Sequence, residues 1–94
     1  MVFKEREIKG VYEIESTPFV DERGFFMRTY DSNFFKAKNI NTNWVQENHS
    51  LNLSKNTIRG LHFIRNPHTD GKLIRCIKGR VYDVFVDLRK NSPT

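Results

Sequence analysis

The stretch from residue 72 to residue 88, KLIRCIKGRVYDVFVDL, most constrains the fold because from Tyr82 to Leu88 apolar side chains recur at every second position. Side chains alternate between the two faces of a β-strand, so this spacing predicts strands with one buried face. Gly79 separates two segments, 72–78 and 81–88, and predicts a bend or turn between them. The buried face of the second segment comprises Tyr82, Val84, Val86 and Leu88.

Further short strands are predicted along the rest of the chain. The segments 8–14, 25–30, 44–53 and 57–64 have strand-like patterns, and Pro18 and Gly24 mark a loop. The single helical segment is DSNFFKAKN, in which Asp31 or Ser32 would cap the first turn. Its short apolar face would consist of Phe34, Phe35 and Ala37. Short strands separated by turn residues predict an all-β sandwich or barrel with one short helix.

Size and charge exclude several classes of protein. A chain of 94 residues with no repeat or linker predicts one domain, or part of one. The net charge of +5 favours anionic partners, but the basic residues alternate with acidic ones rather than clustering as in nucleic-acid binders. Cys76 is the only cysteine, and no long apolar run or signal-peptide pattern occurs. We expect a cytoplasmic location, without membrane insertion.

A row of polar residues marks the predicted strand 44–53. Gln46, Asn48, Ser50 and Asn52 alternate with the opposite face and therefore share one side of the strand. This row has two interpretations. It is either a solvated face, which is the more common case, or the interior of a barrel that binds a ligand through neutral amides.

The segment RGLHF, residues 59–63, places Arg59 and His62 within an otherwise apolar strand. Strict alternation assigns these two residues to opposite faces, although a bulge at Gly60 would redirect one of them. His62 is either a hydrogen-bonded strand residue or a general base. Lys72 either extends into solvent or stabilises negative charge on an oxygen near such a base.

Arg23 stands beside Phe25 and Phe26, which would allow it to hold a phosphate or stack on a base. The surrounding RGFFM only partly matches the RNA-recognition signature, because Phe26 occupies the position of a small residue. The histidines and carboxylates lack the spacing of metal ligands, and we assign no metal.

Four segments taken together, FVDERGFFMR, VQENHSLNLSKNTIRGLHF, GKLIRCIKGRVYDVFVDLR and NSPT, resemble the N-terminal half of dTDP-4-dehydrorhamnose 3,5-epimerases in order and spacing. The resemblance implies a cupin-like jelly roll without a cofactor. It also implies a homodimer formed by β-strand exchange, which binds a dTDP-4-keto-6-deoxy sugar inside the barrel. In this family the reaction inverts carbons that flank the C4 ketone, in dTDP-L-rhamnose biosynthesis.

The resemblance also implies roles for individual residues. His62 would be the base that removes the proton next to the ketone, and Lys72 would stabilise the enolate oxygen. Arg23 and Arg59 would hold the diphosphate region. The remaining substrate contacts would come from Phe26, Gln46 and Asn48.

The chain departs from the family pattern in two respects. Arg28 stands where the family typically has glutamate, and Ile64 and Asp70 replace residues that are commonly glutamine. Family members are also about twice as long, with a tyrosine proton donor and a carboxylate partner of the base in their second half. Residues 1–94 are therefore expected to form the N-terminal part of a single cupin-like epimerase domain whose C-terminal half is absent.

Three functions remain open from the sequence. The first is a nucleotide-sugar epimerase. The second is a non-catalytic fragment of that family that binds nucleotide sugars or forms oligomers. The third is a basic β-domain that binds nucleic acid, which the dispersed charge disfavours.

Overall fold

The computed structural model describes residues 1–65 and 71–93. The chain divides into two compact units. The first unit comprises Met1–Trp44 and the segment that begins at Asp87, and the second comprises Val45–Val86. Every strand and helix of the described residues lies in the first unit.

Two antiparallel strands, β1 (Val2–Glu5) and β2 (Tyr12–Glu15), form the first sheet. Their register places Phe3 opposite Ile14, and two ion pairs join basic residues of the first strand and turn to acidic residues of β2. The prediction of a strand over 8–14 was wrong in its first half. The amide of Val11 donates to the carbonyl of Ile8 at 3.1 Å, which closes a turn there.

A second hairpin joins β3 (Phe19–Asp21) to β4 (Gly24–Phe26). The sequence predicted a loop where β3 lies and a longer strand, 25–30, where only β4 forms. The Asp21 carboxylate accepts a hydrogen bond from the Arg23 amide at 2.8 Å and so closes the two-residue turn. Gly24 has a φ of +127°, which only glycine adopts without strain. A tight local turn therefore creates a hairpin that the apolar spacing did not reveal.

Helix α1 (Ser32–Ala37) begins where the sequence predicted. The Asp31 side chain accepts hydrogen bonds from the amides of Asn33 and Phe34, at 2.9 and 3.4 Å, which confirms it as the N-cap. At the other end Asn39 has a φ of +56°, and the amide of Ile40 donates to the carbonyl of Phe35 at 3.0 Å. This pattern is that of a Schellman motif, so both ends of the helix are closed by local hydrogen bonds.

The core of the first unit is an aromatic cluster around Phe35, whose side chain is 1% exposed. The Phe35 ring packs edge-on against Phe3, with centroids 5.3 Å apart, and against Tyr30 at 4.8 Å. Tyr12 extends the cluster through Phe3, with centroids 6.5 Å apart. Of the predicted apolar face of the helix only Phe35 is buried, since Phe34 is 45% exposed.

The segment from Asp87 onward is attached to the β1–β2 turn by hydrogen bonds. The Arg89 side chain donates from Nε and Nη2 to the two Asp87 carboxylate oxygens, each at 2.9 Å. Nη2 also donates to the carbonyl of Lys9 at 2.7 Å. The Ser92 hydroxyl donates to the same carboxylate, so Asp87 organises this end of the first unit.

The second unit has a turn but no regular element within its described residues, 45–65 and 71–86. The strands predicted over 44–53, 57–64, 72–78 and 81–88 are not formed in the structure. A strand requires hydrogen bonds from a partner strand, and the apolar side chains of these segments, apart from the half-buried Trp44, are exposed rather than covered. The described elements are thus strands with one short helix, which agrees with an all-β class.

The only helix within residues 1–65 and 71–93 is α1, which has six residues. No helix in that part of the chain is long and apolar enough to cross a membrane.

Candidate functional site

The predicted site residues belong to two different units. Arg23 and Phe26 lie on the β3–β4 hairpin of the first unit. The other five lie in the second unit, at Gln46, Asn48, Arg59, His62 and Lys72.

Arg23 is paired with Asp21, the acidic residue two positions before it. Its Nη2 lies 2.6 Å from Oδ2 of Asp21, and its Nε lies 3.2 Å from the same oxygen. These side-chain hydrogen bonds raise the pKa of Arg23 and lower the pKa of Asp21. The guanidinium is exposed to solvent but already has an anionic partner, with which a phosphate would have to compete.

Phe26 lies opposite Phe19 in the hairpin register, and both rings are exposed. Phe25 lies opposite Val20 and therefore points to the other face of the ribbon. The two phenylalanines that follow Arg23 in the sequence therefore lie on opposite faces of the hairpin. Phe26 remains a candidate for an apolar contact with a ligand.

Arg59 is held by two residues, which lie seven and eight positions before it in the chain. Its Nε donates to Oδ1 of Asn52 at 2.7 Å, and its Nη2 donates to the carbonyl of Leu51 at 3.3 Å. Both acceptors are uncharged. Within the described part of the chain, no carboxylate lies within 4.0 Å of the Arg59 guanidinium.

Asn52 was part of the polar row in the sequence but was not among the predicted site residues. In the structure, the amide oxygen of Asn52 accepts a hydrogen bond from Arg59, one of the predicted anion-binding residues. The polar row from Gln46 to Asn52 marked this residue as polar on the same side as Gln46 and Asn48, but it did not indicate the contact with Arg59. Gln46 and Asn48 themselves are exposed and form no hydrogen bond to the described residues.

His62 is exposed and lies close to the backbone of Gly60. Gly60 has a φ of +106°, and a Cβ there would lie 3.5 Å from Nδ1 of His62. The positive φ favours glycine at this position, whereas a Cβ there would make only an ordinary van der Waals contact with the imidazole. Lys72 is also exposed, in the segment that begins at residue 71.

Two of the positions that depart from the family pattern, Arg28 and Ile64, are also accessible. Arg28 forms an ion pair with Asp31, whose Oδ2 lies 3.4 Å from Nη1. Ile64 is half exposed, and Asp70 lies outside the described residues. Among residues 1–65 and 71–93, no three histidine, cysteine, aspartate or glutamate side chains are grouped so that they could hold a metal ion.

Comparison with known proteins shows what the chain is similar to. The profile of the dTDP-4-dehydrorhamnose 3,5-epimerase family matches residues 5–94. A dTDP-4-dehydrorhamnose 3,5-epimerase of Shigella flexneri is 46% identical over 94% of this chain and 49% of its own length. The enzymes of that name from Salmonella typhimurium and Methanothermobacter thermautotrophicus are 44% and 41% identical over 100% and 98% of this chain.

The chain spans about half the length of these relatives, 49 to 51%. No solved structure matches it. The similarity nonetheless covers all four segments on which the resemblance was based, and the predicted family is confirmed. The chain belongs to the dTDP-4-dehydrorhamnose 3,5-epimerase family.

Proposed function

We propose that this chain carries the proton-abstracting half of a dTDP-4-dehydrorhamnose 3,5-epimerase, which acts in dTDP-L-rhamnose biosynthesis. The observation that carries the proposal is the 46% identity, over 94% of the chain, to a relative of that name. The substrate would be a dTDP-4-keto-6-deoxy sugar. The reaction would invert carbons on either side of the C4 ketone.

His62 would begin the reaction as a general base. A neutral imidazole nitrogen takes the proton from the carbon next to the ketone, and the electrons of the broken C–H bond move to the carbonyl oxygen. The resulting enolate oxygen would accept a hydrogen bond from the ammonium group of Lys72. Both side chains are exposed to solvent, which is consistent with this assignment.

The nucleotide would be bound by the remaining candidate residues. Arg23 and Arg59 would hold the two phosphates, because a guanidinium offers paired N–H groups to phosphate oxygens. Gln46 and Asn48 would donate to or accept from the sugar or the base through neutral amides. Phe26 would supply an apolar ring to the same ligand. The reaction so described requires no cofactor.

The proposed architecture is the first part of a cupin-like jelly roll, in a cytoplasmic homodimer that exchanges β-strands. The exposed apolar side chains of the second unit support it, since Leu53 is 93% exposed and Ile58 is 92% exposed. Alternating segments of this kind become stable strands when partner strands satisfy their backbone groups and cover one face. Residues 1–94 would then be part of one domain rather than a complete barrel.

The experiment that tests the function is proton NMR in deuterated water with dTDP-4-keto-6-deoxyglucose. We expect the signals of the C3 or C5 hydrogens to decrease as they exchange with solvent. The His62→Ala variant should lose this exchange, because the base is removed. The matched control is His49→Ala, which removes an exposed histidine of the same unit that has no proposed role.

Absence of exchange with a folded wild-type chain would contradict the proposal, as would equal exchange in the His62→Ala variant. Folding is checked independently by the ring-current shifts of the Phe35 cluster. Thermal stabilisation by thymidine diphosphate without any exchange would instead identify a fragment that binds the nucleotide but does not catalyse.

A further inference from the structure

We propose that Asn52 is a positioning residue that orients the Arg59 guanidinium toward a diphosphate group and leaves its charge available. The inference rests on the proposed function for the identity of the ligand. It extends that function by assigning a role to a residue outside the predicted site.

The geometry around Arg59 supports this role. A guanidinium has a side edge, formed by Nε and one terminal nitrogen, and an end edge formed by the two terminal nitrogens. Asn52 and the Leu51 carbonyl accept from Nε and Nη2, at 2.7 and 3.3 Å, and so occupy the side edge. The end edge retains N–H groups in the planar arrangement that matches two phosphate oxygens. Arg59 is exposed, so an anion has access to it.

A turn between the two residues brings them together. The Thr57 hydroxyl donates to the carbonyl of Ser54 at 2.7 Å. Asn56 has a φ of +65°, a left-handed conformation that asparagine tolerates better than most residues. The chain therefore reverses between Asn52 and Arg59, and their contact is built on a locally closed turn.

The charge of the acceptor distinguishes this arginine from Arg23. Asp21 is an anion, and it accepts from Nε and Nη2 of Arg23. This is the same edge that Asn52 and the Leu51 carbonyl occupy on Arg59. Asn52 is neutral, so its hydrogen bond fixes the direction of Arg59 without supplying a counter-ion. Arg59 is thus oriented without a carboxylate partner among residues 1–65 and 71–93, whereas Arg23 is oriented by a carboxylate that offsets its charge.

Two substitutions separate orientation from charge. Asn52→Ala removes the shorter of the two hydrogen bonds and leaves only the Leu51 carbonyl to restrain the Arg59 guanidinium. Asn52→Asp keeps an acceptor in the same position but adds a negative charge, as Asp21 does for Arg23. Both should weaken anion binding, but only the alanine variant should release the guanidinium. The matched control is Asn33→Ala, which removes an exposed asparagine side chain from the first unit.

The direct readout is NMR of the Arg59 Nε–H group in ¹⁵N-labelled chain. In wild type this proton should exchange slowly with water because Asn52 accepts its hydrogen bond. Asn52→Ala should accelerate that exchange about five- to tenfold, the factor expected for the loss of one such bond. Asn52→Asp and Asn33→Ala should leave the exchange slow.

The second readout is titration with inorganic pyrophosphate at low ionic strength, where exposed charges are least screened. The dissociation constant for pyrophosphate should rise about threefold or more in Asn52→Ala. It should rise further in Asn52→Asp, because the new carboxylate also offsets the charge of the Arg59 guanidinium. Wild-type values for both Nε–H exchange and pyrophosphate affinity in the Asn52→Ala variant would overturn the inference.

The outcome is independent of the test of catalysis. If Asn52→Ala releases Arg59 and weakens pyrophosphate binding while no variant exchanges substrate protons, the positioning role stands and the epimerase proposal fails. If wild type exchanges substrate protons and Asn52→Ala changes neither readout, the epimerase proposal stands and the positioning role fails.

Discussion

The two units of the molecule differ in structure although both are rich in apolar residues. In the first unit Phe35 is 1% exposed and is surrounded by aromatic rings from a strand and a loop. In the second unit, apolar side chains such as Leu53 and Ile58 are almost fully exposed. Apolar content alone therefore does not decide which part of the chain forms regular structure.

The difference lies in how far apart the interacting groups are along the chain. The elements of the first unit are closed by contacts between near neighbours, such as the Asp31 cap and the Asp21 turn. The four segments predicted as strands in and beside the second unit need distant partners for their backbone hydrogen bonds. Local contacts suffice for the hairpins and the helix, whereas the later predicted strands would need distant partner segments that the described residues do not supply.

The substitution with the largest expected effect is Phe35→Ala. Truncation of a fully buried phenylalanine costs about 3–5 kcal/mol, which approaches the whole stability of a small unit. The first unit should therefore unfold, and the amides of β1 and α1 should lose their protection from hydrogen exchange. Amides of the second unit should exchange rapidly both before and after the substitution.

Phe34→Ala is the matched control, because that neighbouring ring is 45% exposed and its loss should have a much smaller effect. Retention of amide protection in Phe35→Ala would show that the aromatic cluster does not hold the first unit together. Strong protection of amides from hydrogen exchange within 45–65 or 71–86 of the wild-type chain would contradict the contrast drawn between a structured first unit and an open second unit.

Asp31→Ala should have an intermediate effect. Loss of an N-cap typically costs about 1 kcal/mol, because helical amides lose their acceptor. The urea midpoint of the first unit should fall accordingly, with Asp31→Asn close to wild type because asparagine also caps helices. Any difference between wild type and Asp31→Asn measures the carboxylate charge, through both the ion pair with Arg28 and the helix dipole. An alanine variant as stable as wild type would show that tertiary contacts alone maintain the helix.

The smallest expected effect is a pH dependence that arises from Asp87. Hydrogen bonds from Arg89 and Ser92 lower its pKa below the ordinary value of 3.8. Because the folded pKa is lower than the unfolded pKa, the stabilisation is fully present above the unfolded value of 3.8. It is lost as the pH falls from that value through the folded pKa. The Asp87 carboxylate is 6% exposed, but the Arg89 side chain is 56% exposed, so solvent screens the pair.

The measurement is the thermal midpoint of the first unit between pH 6 and pH 3, which should decrease in wild type. Asp87→Asn should reduce this slope, while Asp83→Asn, in the second unit, should retain it. Asp21 has a pKa lowered in the same direction by Arg23 and should leave a residual slope in the Asp87 variant. An unchanged slope in Asp87→Asn would show that other groups control the acid response.

The sequence predicted features that depend on adjacent residues better than those that depend on distant ones. The helix, its Asp31 cap and the family were all predicted correctly. The β3 strand was missed because a two-residue turn, rather than apolar spacing, creates its hairpin. The contact between Asn52 and Arg59 was missed because it requires a chain reversal that alternation along one strand does not reveal. The jelly roll and the roles of His62 and Lys72 remain predictions.

The hydrogen bond from Arg89 to the carbonyl of Lys9 joins residues 80 positions apart, and this separation affects the order of events during synthesis. The aromatic cluster needs only residues within the first 44, so it can form early on the ribosome. The Arg89 contact must wait for the whole second unit, a delay of a few seconds at about 5–20 residues per second. During that interval the nascent chain exposes the apolar segments of the second unit before its first unit is complete. Chaperones, or a neighbouring nascent copy, would meet the chain in that state.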